Sequence, residues 1–268
     1  MLRTKLSVVC ALFFTIGALL MNGCSTTPLD RTASMSPEQI YAEAKDEMKA
    51  GAYDKAISLL EKLEGRAAGT PLAQQAQLDR AYALFKTEQP AQAVATLDRF
   101  IKLHPASPAL DYALYLKGVI NFNEDLGLFS SITRQDLAER DQQAAKESFA
   151  SFKELVVRFP ASHYAPDARL RMAYIVGSLA QYEVHVARYY YSRGAYLAAI
   201  NRVQQAVTDY RQAPALEEGL FILFKSYDAL GMPQLRDDAR RVLELNYPKS
   251  EYLVSGFKTK SDPWWKFW

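Results

Sequence analysis

The chain has 268 residues and a formal net charge of +2, with 49% apolar residues, 12 glycines, 12 prolines and 2 cysteines. That balance supplies a sizeable core and excludes wholesale disorder, and the weight of Ala, Leu, Glu, Gln, Lys and Arg over Gly and Pro favours an α-rich protein. Both cysteines, Cys10 and Cys24, precede the folded part, which therefore has no disulfide and no cysteine metal site.

Arg3 and Lys5 give a basic start, residues 6–21 (LSVVCALFFTIGALLM) are uncharged and apolar, and Asn22, Gly23 and Cys24 follow. The run is short for a membrane span and has the n-region and h-region of a secretory signal. A small residue directly before a cysteine resembles the cleavage site of bacterial lipoproteins. That resemblance implies removal of residues 1–23 and acylation of Cys24 on its sulfur and its new amino group; the alternative is an uncleaved anchor with an incidental cysteine. Losing Arg3 and Lys5 takes 32 basic residues to 30, against 30 acidic ones, so the mature chain is near neutral. No basic field remains to recruit nucleic acid. Residues 25–36, STTPLDRTASMS, read as a flexible tether. Ser25, where an Asp would indicate inner-membrane retention in lipoproteins of this kind, points to the outer membrane.

The stretch GAYDKAI at 51–57 returns as GAYLAAI at 194–200. With the Ala of each copy as origin, Ala56 is followed by Leu60 and Leu63, and Ala199 by Val203 and Ala206. The same steps of four and three start at Ala93 (Leu97, Phe100) and Ala145 (Phe149, Phe152), and a weaker version starts at Ala239 (Leu243). Such steps keep one stripe on one helix face. Pro and Ser close the frames in LHPASP (103–108), RFPASHY (158–164) and NYPKSEY (246–252), stopping one helix and capping the next. Gly51 and Gly194 sit where a tight turn needs an unhindered backbone. The unit is a repeated helical hairpin like the tetratricopeptide repeat, whose period is ~34 residues. The origins are 37, 52, 54 and 40 residues apart, so insertions are expected. The predicted fold is all-α: a superhelical solenoid of about five irregular hairpins, N-terminal repeats over 37–165, C-terminal repeats over 166–252, and a tail over 253–268.

Residues 168–193 run without Pro and predict one helix of ~39 Å bridging the first three repeats to the last two. Residues 124–143 are expected to form a loop. The end, FKTKSDPWWKFW (257–268), carries all three tryptophans. It reads as a fold-back onto the last repeat, as a partner contact or as an interfacial foot, with Lys258, Lys260 and Lys266 placed to meet lipid phosphates.

Motifs for catalysis are missing: there is no Gly-rich phosphate loop, G-x-S-x-G or H-E-x-x-H, and His104, His163 and His185 are scattered. Enzyme activity, a metal site and any cofactor beyond the lipid on Cys24 are not expected. Solenoids bind along the concave face built from first helices. Positions 2, 5, 9 and 12 of those helices place Tyr41, Tyr82, Phe85, Tyr112, Tyr115 and Phe122 there. Aromatic rings offer large contact area with few rotors to freeze, which suits an extended apolar peptide; burial between hairpins is the competing explanation.

The stretches LDRFIKLHPASPALDYALYLKG (97–118), ERDQQAAKESFASFKELVVRFPASHYAPDA (139–168) and YYYSRGAYLAAINRVQ (189–204), with the lipoprotein signal, resemble the BamD family, also called ComL. The resemblance covers essentially the whole mature chain. It implies a lipoprotein of the outer-membrane β-barrel assembly machine, held at the periplasmic face by its lipid. By the same resemblance, the N-terminal repeats take unfolded β-barrel proteins, and the C-terminal repeats dock on a POTRA domain of BamA and on accessory Bam lipoproteins. Asn201 and Arg202 match the family's docking-side helix, and Arg202, beside the buried Val203, is expected to reach outward. One turn departs from the family: GRAAGTP (65–71) keeps Arg66 but has Ala67, Ala68 and Gly69 in place of bulkier residues. A rival reading is a pilotin-type scaffold lipoprotein for secretin assembly.

Overall fold

The computed structural model describes residues 31–122 and 142–257. After a short 3-10 turn at Arg31–Ser34, eleven α-helices follow among the described residues, which contain no strand. They are α1 (Pro37–Lys49), α2 (Tyr53–Arg66), α3 (Pro71–Lys86), α4 (Pro90–Leu103), α5 (Leu110–Asn121), α6 (Gln142–Arg158), α7 (Ala165–Ser192), α8 (Tyr196–Asp209), α9 (Leu216–Ala229), α10 (Pro233–Asn246) and α11 (Glu251–Ser255). Successive pairs make five hairpins, each helix from α1 to α9 packing on the next in sequence; α1 also touches α3, α3 touches α5, α7 touches α9, and α11 rests on α9. The architecture is a solenoid of irregular tetratricopeptide-like hairpins.

Local chemistry sets the boundaries. Ser36 and Gln39 form a reciprocal capping box at α1, with Pro37 in the first turn. Thr70 caps α3 one way only, its hydroxyl oxygen accepting from the Ala73 N–H at 3.2 Å. Between the helices of a hairpin, one residue takes a left-handed conformation: Gly51 (φ 77°), Glu88 (φ 58°), Gly194 (φ 75°) and Gly231 (φ 68°). Three of the four are glycine because a Cβ is strained there. Glu88 bears that strain in the second hairpin.

Five equivalent carbonyls accept the N–H that ends the second helix of each hairpin: Leu63, Phe100, Leu155, Ala206 and Leu243. All five residues are fully buried. They are 37, 55, 51 and 37 residues apart, so the outer repeats are regular and the middle ones carry the insertions. This register corrects two sequence frames. In the third hairpin the crossing residue is Ser148, fully buried and bonded through its hydroxyl to the Gly118 carbonyl at 2.8 Å. Ala145 is only half-buried, and Phe152 and Leu155 fill the next two core positions. In the fifth hairpin the position equivalent to Ala56 is Arg236, whose N–H bonds the Met232 carbonyl as that of Ala56 bonds Ala52. Ala239 lies three residues further on. Arg236 is only half-buried and pairs with Asp228 and Asp237, so this crossing position of α10 tolerates a charge.

Gly118 on α5 is where the third hairpin closes most tightly: a Cβ there would stand 2.4 Å from Cε1 of the buried Phe152. Helix α7 runs unbroken for 28 residues, slightly earlier than the sequence boundaries. Its first half (Ala165, Ala168, Ile175, Leu179) completes the core of the third hairpin, and its second half (Val184, Ala187) that of the last two. Residues 142 and 143, expected in a loop, open α6; the rest of that insertion lies outside the described residues.

Candidate functional site

Helices α1, α3 and α5 line up their first-helix positions on one face, and the face continues onto the start of α7. All six aromatic residues expected there are half-buried. Tyr41 donates its hydroxyl to Asp79 at 2.9 Å, and Lys45 reaches the same carboxylate oxygen at 3.1 Å. Tyr82 meets Tyr53 edge-on with ring centres 6.3 Å apart. Tyr112 and Tyr115 both pack on Tyr164, Tyr115 in a stacked geometry at 4.6 Å. Tyr115 also donates to Asp167 at 2.9 Å, and Arg171 closes that group with a 2.7 Å bond to the same oxygen. The Arg171 guanidinium then sits over Phe122, whose ring meets Tyr174 edge-on at 5.7 Å. Phe85 packs on the core around Leu78, Ala81 and Leu84. Tyr112, Tyr115 and Phe122 thus belong to one ribbon of contacts from α5 to α7, and Tyr41 adjoins it through Asp79, whose charge acts on the Tyr112 hydroxyl.

The sequence reading missed the groups that organise this ribbon. Asp79, Asp167 and Tyr164 come from other hairpins or from an exit loop, so helical spacing within a hairpin does not point to them. A Tyr–Asp–cation arrangement occurs twice, as Tyr41–Asp79–Lys45 and as Tyr115–Asp167–Arg171. Burial, and then the Asp79 charge, push the Tyr41 and Tyr112 hydroxyls well above their ordinary range. Burial and the bond to Asp167 act the same way on Tyr115. These hydroxyls therefore stay neutral donors through the physiological range. The face offers ring surfaces and hydrogen-bonding groups already held in place, which suits binding rather than proton transfer. Among the described residues no group of His, Cys, Asp and Glu is able to hold a metal ion.

On the C-terminal side, Asn201 is exposed on α8. Arg202 is 42% exposed at its side chain, and its Nη1 also meets the buried Glu183 carboxylate of α7 at 3.1 Å, so it ties the fourth hairpin together from the surface. Arg188 and Glu218 form a two-pronged ion pair across α7 and α9. Tyr252 stacks on Phe221, and Phe257 lies against Phe221 and Tyr191 with centres 4.9 and 5.1 Å away. The chain past α11 thus starts by folding onto the last hairpins. Cys24 and residues 258–268, including the tryptophans, lie outside the described residues, and no described helix is long and apolar enough to cross a membrane.

A family profile described as YfiO, outer membrane lipoprotein, matches residues 33–243. The chain is 42% identical over 264 residues to outer membrane protein assembly factor BamD of Neisseria meningitidis serogroup A, covering 98% of this chain and 99% of that one. It is 34% identical over 227 residues to the protein of the same name from Vibrio cholerae, covering 85% and 94%. Among solved structures, PilW, a type IV pilus biogenesis factor, aligns over 83% of this chain and 98% of its own at 18% identity and a TM-score of 0.33.

Proposed function

Since the chain belongs to the YfiO family of outer-membrane lipoproteins, with relatives named as BamD assembly factors, we propose that it assists assembly of outer-membrane proteins by binding their unfolded chains. The binding surface is the ribbon from Tyr41 to Tyr174, and its continuity across three hairpins is the observation that carries the reading. An extended segment of an unfolded barrel protein lies along it, its apolar side chains on the rings and its polar groups on the Tyr–Asp pairs. Helix α8, through the exposed Asn201 beside the Arg202–Glu183 pair, docks on a POTRA domain of BamA, and the C-terminal hairpins take accessory Bam lipoproteins. The lipid on Cys24 is the anchor, holding the solenoid at the periplasmic side of the outer membrane. No step makes or breaks a covalent bond.

Photocrosslinking tests this directly. A photoreactive residue in place of Tyr112, in cells making the full chain, is expected to capture unfolded barrel proteins; one in place of Asn201 is expected to capture BamA. Capture of secretin subunits instead, at either position, overturns the reading in favour of a pilus scaffold.

A further inference from the structure

On the edge of the solenoid, away from the ribbon, α2, α3 and α4 enclose a cleft of about 420 Å³. Its wall is low because Gly65, Ala68 and Gly69 stand there. Its floor is polar and buried. Gln77 is 8% exposed, and the Glu64 and Arg80 side chains are 11% and 17% exposed. Arg80 Nε lies 2.8 Å from Glu64 Oε1 in an ion pair that is not aligned as a hydrogen bond, and the Gln77 side chain also bonds the Glu64 carboxylate, but the two paired atoms have no hydrogen-bond partner within the chain. Gln77 Oε1 has none either. Of the seven such atoms among the described residues, three therefore share this one cleft. Buried polar groups are ordinarily hydrogen-bonded, so such a cluster marks a place for a polar partner.

The chemistry of that partner follows from the lining. Glu61 and Glu64 face Arg80 and Arg99, two carboxylates against two guanidiniums, so the cleft has no net charge with which to select an ion. It offers an acceptor at Gln77 and donors at the guanidiniums. A neutral group with one N–H and one C=O answers both, which is a peptide amide. The cleft joins a second groove at Gln74, Leu103 and His104, lined further on by Leu78, Pro105 and Pro108. That extension suits a chain rather than a compact molecule, and its apolar part takes one side chain of a strand while the next points away.

We propose that this edge cleft is a second polypeptide-binding site, which grips the main chain of an extended segment through Gln77, Arg80 and Arg99. The inference rests on the reading that the N-terminal hairpins take unfolded polypeptide, and adds a grip that is indifferent to side-chain sequence. The probe is a fluorescein-labelled, end-capped peptide of alternating serine and leucine, titrated by anisotropy with the full-length lipoprotein in detergent. Gln77→Leu removes the orphaned acceptor; Ala68→Trp fills the cleft from its exposed wall without touching the floor. Each is expected to weaken binding about tenfold, as is N-methylation of alternate amides in the peptide, while Ala68→Trp, on the exposed wall, leaves the melting temperature unchanged. Undiminished binding to both variants, or of the N-methylated peptide, overturns the inference and means a water-filled cleft only. Tyr115→Ala separates the two readings. If it alone abolishes binding, the ribbon stands and the cleft falls; if only the cleft variants matter, the cleft stands and the ribbon falls. No binding to the parent refutes both.

Discussion

Gly118→Ala adds a single methyl group to α5. That methyl would stand 2.4, 2.6 and 2.8 Å from three atoms of the Phe152 ring. The ring is fully buried among Leu110, Leu114 and Leu155 and has no free side toward which to retreat. Overpacking of this kind costs roughly 1–3 kcal/mol. Against it stands the intrinsic gain of Ala over Gly inside a helix, ~1 kcal/mol. The net expectation is a loss of up to about 2 kcal/mol, or a fall in melting temperature of up to roughly 8 °C for a domain of this size. Gly177→Ala is the matched control, because a Cβ there meets nothing within 4 Å; it keeps the helix gain and raises stability by ~1 kcal/mol. Urea and thermal unfolding of residues 25–268, followed by circular dichroism, measure both. A Gly118→Ala protein as stable as the parent, with Gly177→Ala unchanged or worse, refutes the close crossing of α5 and α6.

Glu88→Gly relieves the one non-glycine left-handed residue in the turn series and should raise stability by about 1 kcal/mol in the same assay; a loss would show that the Glu88 side chain matters more than its backbone. The tyrosines of the ribbon have hydroxyl pKa values raised in the fold, so their contribution is complete below ~10 and is lost as pH climbs through the folded values. Absorbance at the phenolate band should therefore rise late and together with unfolding, and ionisation near the ordinary value in an intact fold would contradict the burial. Cys24→Ala should abolish labelling by radioactive fatty acid and release the chain from membranes; equal label in mutant and parent would refute lipidation there. Arg202→Glu sets a carboxylate against buried Glu183 and should lower stability by roughly 1–2 kcal/mol, whereas Asn201→Glu should reduce BamA co-purification at unchanged melting temperature. The reverse pattern would exchange the roles of the two residues.

The hairpin plan was legible because its determinants are local: a left-handed turn residue, a small crossing residue and a Pro-Ser exit all lie within one helix or its end. The register of the third hairpin was legible too, though in the exits rather than the helices. Pro105 lies 12 residues after Ala93, and Pro160 lies 12 after Ser148 but 15 after Ala145. An apolar stripe repeats every three or four residues, so a shift by three keeps a plausible stripe while a fixed exit does not allow it. The aromatic ribbon followed from the same frame. Its acidic partners did not: Asp79 meets Tyr41 from 38 residues away and Asp167 meets Tyr115 from 52 away, and nothing in the spacing of one helix encodes a pairing between hairpins. The Arg202–Glu183 pair was hidden for the same reason, since the two lie on different helices.

Helix α7 has a bearing on how the molecule comes apart. An array of separate repeats behaves as a chain of units with nearest-neighbour couplings, able to melt from any seam. Here the seam between the third and fourth units is absent, because one 28-residue helix, ~42 Å long, serves both cores. Unwinding it for one unit strips the other, so the middle of the array melts as a single cooperative block and fraying is confined to the ends, at α1–α2 and at α10–α11. Amide exchange should follow that gradient, slowest at Ile175, Leu179 and Val184, so that a partly unfolded molecule sheds its outermost hairpins while its centre stays whole.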